Sequence, residues 1–246
     1  MIEGAVTDAR EASVRRTKRT RRGPLADGSG AYGPAWHLFN VARAAALALF
    51  CLLLPIAAPA EAATKLLALG DSLTAGLGLP PEQGFTTKLQ AALAADGHAV
   101  EVINGGISGD TTAGGLARLD WSLADHPDVA LVELGANDAL RGLDPAETRA
   151  NLDQILARLQ AAHVKVLLCG MKSLRNWGPD YTDKFEAIYP DLAKKYGVPL
   201  YPFFLDGVAL DPALNQADMM HPNPQGVDVI VKRLLPAVEK LVGPGS

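Results

Sequence analysis

Between residues 65 and 242 the chain alternates five times between a short apolar run and a longer amphipathic one, and this alternation limits its fold more than any other feature. The short runs are KLLALG (65–70), AVEVIN (99–104), VALVELG (129–135), VKVLLCG (164–170) and VPLYPFF (198–204). They read as strands because they are brief, rich in aliphatic residues and stopped by turn formers. Near-continuous apolar character marks strands buried on both faces, the habit of parallel sheets. The segments between them carry helical spacing: Phe85, Leu89, Ala92 and Leu93 in 82–95, and Leu116, Leu119 and Leu123 in 112–124. Leu152, Ile155, Leu156 and Leu159 follow Asp144-Pro145, a cap and first-turn pair. Phe185, Ile188 and Leu192 lie in 180–196, and Val227, Ile230, Val231, Leu234 and Leu235 in 224–242. Repeated strand–helix alternation predicts a three-layer α/β/α domain around five parallel strands. In such sheets the chemistry belongs in loops beyond the strands' carboxyl ends.

The first 63 residues are of another kind. Residues 10–22 hold seven basic residues and one acid. Residues 44–58, AAALALFCLLLPIAA, form an uncharged run of 15, short of the roughly 20 residues that span a bilayer. Ala58-Pro59-Ala60 and Ala60-Glu61-Ala62 follow as small-x-small sites. A basic flank, a short apolar core and an Ala-x-Ala site together describe a secretory signal peptide, with an uncleaved anchor as the alternative. The basic stretch within residues 1–36 reads as a solvated tail or as sequence upstream of the true start. Paired arginines hint at a twin-Arg signal, but they lie far ahead of the apolar run. The expected organisation is an extension and signal in 1–63 and one domain in 64–246. An exported, periplasmic or secreted protein with no stable membrane insertion of its mature domain follows.

Residues 64–246 hold 15 basic and 22 acidic side chains, a balance that disfavours binding to a phosphate backbone and hence nucleic acid. With Cys51 in the signal, Cys169 is left alone, too few for an internal disulfide and placed for a buried role. No cluster of metal-ligand residues at zinc spacing occurs.

Four polar clusters fall where the strands end. They are Gly70-Asp71-Ser72-Leu73-Thr74-Ala75-Gly76, Asn104-Gly105-Gly106-Ile107-Ser108-Gly109-Asp110, Gly135-Ala136-Asn137-Asp138, and Asp218-Met219-Met220-His221-Pro222-Asn223 before the last helix. A serine hydroxyl needs a base to take its proton, and the base needs an orienting group. Ser72 directly follows a strand, His221 can act as base, and Asp218 lies within one turn of it. Negative charge developing on a carbonyl oxygen needs donors already in place. The Asn137 amide, the Gly109 backbone N–H and the Ser72 backbone N–H are candidates.

These blocks resemble the four signature blocks of the SGNH (GDSL) hydrolases, in order and over essentially all of 64–246. The resemblance is strongest to the periplasmic acyl-CoA thioesterase, lysophospholipase and arylesterase branch. It rests further on Ile107-Ser108-Gly109-Asp110-Thr111, Gly115-Leu116-Ala117-Arg118-Leu119, Val132-Glu133-Leu134-Gly135, Asn137-Asp138-x-Leu140-Arg141-Gly142 and Ala187-Ile188-Tyr189-Pro190. Ala136 stands where that branch often has Gly. The resemblance implies a flavodoxin-like sheet and Ser72 as nucleophile. It implies Asp218 and His221 as the rest of a triad, and Ser72, Gly109 and Asn137 as the oxyanion hole. It implies no metal or organic cofactor, and a monomer acting on small acyl esters, thioesters or lysolipids. A carbohydrate O-deacetylase with the same triad is the alternative. A catalytically silent binding module would have lost a triad residue, and a metal-dependent phosphohydrolase would need ligands that Asp71, Asp110, Asp138, Asp218 and His221 lack.

The neighbouring polar residues read as structural. Asp71 is expected to bond loop amides, Asn104 and Asp110 to brace loops, Asp138 to cap the following segment, and Arg118 to pair with an acid. Residues 140–143 could cover an acyl chain, with Met171, Leu174, Trp177 and Tyr181 on the other wall. His98, His126 and His163 are expected at the surface.

Overall fold

The computed structural model describes residue 35, residues 38–45 and residues 63–244. The chain divides into two compact units, Met1–Ala58 and Pro59–Ser246. The first contains a helical stretch at residues 38–45. Nearly all of the apolar run 44–58 and both Ala-x-Ala sites lie outside the described residues. Among the described residues no helix is long and apolar enough to cross a membrane.

The second unit holds one five-stranded parallel sheet: β1 (Thr64–Gly70), β2 (Val100–Gly106), β3 (Val129–Glu133), β4 (Lys165–Cys169) and β5 (Leu200–Tyr201), in the order β2-β1-β3-β4-β5. The α/β expectation is met. Strand β1 lies between β2 and β3, so the chain builds the sheet first to one side of it and then to the other. The crevice between the carboxyl ends of β1 and β3 is therefore the switch point at which sheets of this order bind ligands. The register sets those ends level, with Gly70 opposite both Gly106 and Glu133, and Glu133 opposite Cys169.

The helices are α1 (Ser72–Ala75), α2 (Phe85–Ala95), α3 (Thr112–Ala117), α4 (Leu119–Leu123), α5 (Ala136–Leu140), α6 (Pro145–Ala161), α7 (Pro179–Glu186), α8 (Ile188–Tyr196) and α9 (Pro224–Val242). Helices α2 and α9 pack together on one face, and α3, α6 and α8 on the other. This is the arrangement that right-handed crossovers produce for this strand order. Every residue of β3 and all but Lys165 of β4 are buried, which accounts for their apolar runs.

The element ends follow local chemistry. The Asp144 carboxylate accepts from Ala146 N at 2.9 Å and Pro145 opens α6. Asn223 accepts from Gly226 N at 3.0 Å and Pro224 opens α9. Both are side-chain caps with proline where the free N–H is not needed.

Three expected elements differ. The fifth strand shrinks to Leu200–Tyr201 because Pro199 and Pro202 flank it and offer no N–H to a ladder. The helix expected over 180–196 breaks at Ala187, between α7 and α8. Pro190 lies three residues on, where its ring would meet the carbonyl of residue 186 in a continuous helix. The helix expected over 112–124 breaks at Arg118, whose guanidinium is held by the Asp110 carboxylate at 2.6 Å and the Gly70 carbonyl at 2.9 Å.

Leu131 lies in the middle of β3 with no exposed surface. Leu131→Ala removes buried methyl groups from a packed centre and should cost about 2–5 kcal/mol. Urea denaturation should show a lower midpoint with an unchanged slope; an unchanged midpoint would mean that the sheet's centre repacks without loss.

Candidate active site

Strand β1 ends at Gly70, and the chain turns at once into the single-turn helix α1. Asp71 caps it, its Oδ1 accepting from Leu73 N at 3.0 Å. Ser72 is therefore carried past the sheet edge on a short, closed turn, and 8% of its surface stays exposed. Gly70 is small for a reason of space. A Cβ there would lie 2.1 Å from Thr74 Oγ1 and 2.5 Å from Glu133 Oε2.

The structure brings Ser72, His221 and Asp218 together across 149 residues of sequence. Ser72 Oγ lies 2.9 Å from His221 Nε2, and His221 Nδ1 lies 2.6 Å from Asp218 Oδ2. A carboxylate can only accept, so Nδ1 carries the proton and Nε2 is left to accept from the Ser72 hydroxyl. Asp218 is held by more than the ring. Its Oδ1 accepts from Met220 N at 2.9 Å and His221 N at 3.0 Å. These bonds, the one from His221 N foremost, hold its carboxyl down at about 2, so it stays ionised. Met219 takes a left-handed backbone, φ 60°, to close this turn.

The histidine loop is pinned to the Ser72 side by a residue the sequence did not single out. Gln216 Nε2 donates to Leu77 O at 2.8 Å and to Pro222 O at 3.0 Å, and Gln216 N donates to His221 O at 2.7 Å. Lys88 on α2 adds a bond to Pro224 O at 3.0 Å.

Asn137 lies in the first turn of α5, immediately beyond β3. One hydrogen of its amide goes to Asp71 Oδ2 at 3.0 Å, leaving the other for a ligand. Asp71 thus does what was expected of it, holding a loop amide, and also holds this side chain. Burial foremost lifts its carboxyl to about 6, against the bonds from Leu73 and Asn137. Gly135, just before Asn137, has φ 115°, and a Cβ there would meet the Tyr189 hydroxyl at 2.1 Å. That hydroxyl donates to Leu134 O at 3.0 Å.

Gly109 lies in the loop after β2 with φ 83°. Its carbonyl accepts from Arg141 Nη2 at 2.7 Å. Arg141 caps the helix that carries Asn137, so this bond ties the Gly109 loop to it. Ser72, Gly109 and Asn137 thus follow the carboxyl ends of three neighbouring strands, β1, β2 and β3.

The remaining polar residues are structural, as read, with two corrections. Asn104 accepts from Gly106 N, and Asp110 pairs with Arg118. Asp138 does not cap its own helix. It is buried and accepts from Thr112 N at 2.9 Å, Thr112 Oγ1 at 2.5 Å and Thr148 Oγ1 at 3.2 Å, joining α3 and α6 to the site loop. His98 is not a surface residue. Its ring is largely covered and lies 3.6 Å from Glu239. His126 and His163 are exposed. Of the expected opposite wall, Trp177 and Tyr181 lie against residues 139–143, Trp177 Nε1 donating to Ala139 O at 2.8 Å and Tyr181 OH to Leu143 O at 2.9 Å, while Met171 is buried in the core. Cys169 is buried, and burial pushes its thiol well up. Among the described residues no three His, Cys, Asp or Glu side chains converge as metal ligands.

Sequence reasoning passed over Glu133, although an acid ending a strand of otherwise apolar, fully buried residues was a signal.

Known proteins share this arrangement of loops on a sheet. The family described as "GDSL-like Lipase/Acylhydrolase family" matches residues 68–229. The chain is 40% identical to the "Esterase TesA" of Pseudomonas aeruginosa over 193 residues, 78% of this chain and 96% of the relative. It is 43% identical to the "Thioesterase 1/protease 1/lysophospholipase L1" of Escherichia coli K12 over 184 residues, 73% of this chain and 87% of the relative. The crystal structure of AlinE4, "a SGNH-hydrolase family esterase", superposes with a TM-score of 0.63 at 45% identity, covering 75% of this chain and 99% of that one. By the extent of these matches the chain belongs to the GDSL-like, or SGNH, lipase/acylhydrolase family.

Proposed function

We propose that the protein hydrolyses carboxylic ester and thioester bonds of acyl substrates through an acyl-enzyme on Ser72. The observation that carries this reading is the pair of short contacts on the His221 ring: Ser72 Oγ at 2.9 Å on one nitrogen and Asp218 Oδ2 at 2.6 Å on the other. The chemistry follows from their polarity. Ser72 Oγ attacks the substrate carbonyl carbon as its proton passes to His221 Nε2, and Asp218 stabilises the imidazolium. The carbonyl oxygen becomes an oxyanion that receives hydrogen bonds from Ser72 N, Gly109 N and Asn137 Nδ2. The carbon–oxygen or carbon–sulfur bond then breaks, and His221 returns the proton to the leaving alcohol or thiol. Water, deprotonated by the same nitrogen, cleaves the acyl-serine and frees the acid.

The activities named for the relatives, esterase, thioesterase and lysophospholipase, point to aryl esters, acyl-CoA thioesters and lysophospholipids as the substrate classes to test. Residues 64–246 act as the hydrolase domain. Residues 44–58 with their Ala-x-Ala sites serve as a secretory signal, placing the enzyme outside the cytoplasm.

Ser72→Ala should keep the fold and lower kcat by about 10³-fold or more, as loss of one triad member does. A fluorophosphonate probe should label wild type at Ser72 alone. Label at another residue, found by peptide mapping, would overturn the assignment.

Asn137→Ala should lower kcat by about 10²- to 10³-fold, the usual cost of one oxyanion donor. KM on a p-nitrophenyl ester should change little, because the donor acts on charge that develops in the transition state. Probe labelling of Ser72 should slow yet persist, while His221→Ala should nearly abolish it. A large rise in KM at constant kcat would make Asn137 a substrate-binding group instead.

Protein recovered from its native host should begin between Glu61 and Thr64 by N-terminal sequencing. A start upstream of residue 44 would show that the apolar run is retained.

A further inference from the structure

Glu133 ends the central strand β3 and is completely buried. Two groups donate to its Oε2: Thr74 Oγ1 at 2.7 Å and Asp71 N at 3.3 Å. Both belong to the turn that carries Ser72, one on each side of it. Asp71 in turn bonds Asn137, which lies four residues beyond Glu133 on the same stretch of chain. The bonds close a ring: Glu133 to Asp71 and Thr74, Asp71 to Asn137, and the backbone from Asn137 back to Glu133. Gly70 shows how tightly the ring is built, since the Glu133 carboxyl and Thr74 hydroxyl fill the space a Cβ would need.

We infer that Glu133 is a positioning residue, which acts through Asp71 and Thr74 to set the nucleophile turn in register with the Asn137 amide. This rests on the reading of Asn137 as an oxyanion donor. Glu133 itself faces no substrate. It is buried beneath the turn, and its Oε1 has no hydrogen-bond partner among the described residues.

Glu133 does this work as a neutral acid. The titratable groups around it are Asp71 on the turn, Cys169 on β4 and Tyr189 on α8, none of them a cation. Arg118, which reaches the Gly70 carbonyl, is already paired with Asp110. Burial first, then the Asp71 charge, pushes the Glu133 carboxyl well above its ordinary range. Two carboxylates this close in a dry interior do not both ionise readily, and one proton settles the pair. With that proton on Glu133, Oε2 still accepts both bonds, and Asp71 is free to hold Asn137 as a carboxylate. The ring thus needs an acceptor at position 133 but no charge there.

The test uses kcat and KM on a p-nitrophenyl ester for E133L, E133Q and N137A, and for the double variant E133L/N137A, with folding checked by circular dichroism. Leucine fills the same space without an acceptor, so E133L should lower kcat by about 10- to 100-fold with KM nearly constant, the scale of a small misplacement of reacting groups. Glutamine keeps a neutral acceptor, so E133Q should recover most of what E133L loses. In the N137A background E133L should cost much less than it does alone, because the donor it positions is already gone. Full activity of folded E133L, losses in E133Q as large as in E133L, or additive losses in the double variant would each overturn the inference. If E133L does not fold, T74V opens the ring at its other bond and should lower kcat about 3-fold or more at constant KM; wild-type kcat in T74V would overturn it. The underlying reading fails separately: N137A would then leave kcat unchanged.

Discussion

The parallel pairing of β1 with β3 is the constraint on which the rest of the molecule depends. Backbone hydrogen bonds lock Gly70 opposite Glu133, so the two strands end at the same height. Everything reactive is then counted in residues from that line. Ser72 comes two residues after Gly70, and Asn137 four residues after Glu133. A slip of this register by one residue would turn every strand side chain to the other face and would separate the Ser72 hydroxyl from the Asn137 amide. The buried leucines and valines of β1 and β3 resist such a slip, because both faces of these strands are packed. Hydrophobic burial and active-site geometry are here one requirement.

The proposed base, His221, arrives by a different route. His221 stands on no strand but in a loop before α9, held through Gln216 to the Leu77 carbonyl and through Lys88 to the start of α9. The bonds that fold Asp218 back on His221 are local and span at most three residues. His221 and Asp218 are thus assembled within one turn, and only the placing of that turn against Ser72 needs tertiary structure. This division suits the chemistry: the imidazole's tautomer is set locally by a carboxylate that stays ionised, while its reach to the serine is set by helix packing.

Particular residues show how far the sequence could be read. The apolar strands, the Asp144 and Asn223 caps and the Gly-Asp-Ser turn all depend on neighbours in sequence, and they were legible. The missed boundaries were decided by contacts that sequence spacing does not reveal or by overlooked prolines: Pro199 and Pro202 beside β5, Pro190 in α8, and the pull of Asp110 and Gly70 on Arg118. Asp138 looked like a local cap and proved to be a buried clasp between α3 and α6. His98 looked like a surface residue and proved to be covered beside Glu239 on α9.

The sequence by itself determined the layered α/β architecture and pointed to the five residues proposed for the site, Ser72, Gly109, Asn137, Asp218 and His221, because strand periodicity and motif chemistry are written in short segments. Tertiary structure alone decided how those residues are held. Arg141 meets Gly109 across 32 residues, Asp71 meets Asn137 across 66, and Glu133 meets Thr74 across 59. A hydrogen bond between distant segments leaves no periodic trace in either of them. Its partners become visible only once the sheet has brought the loops together.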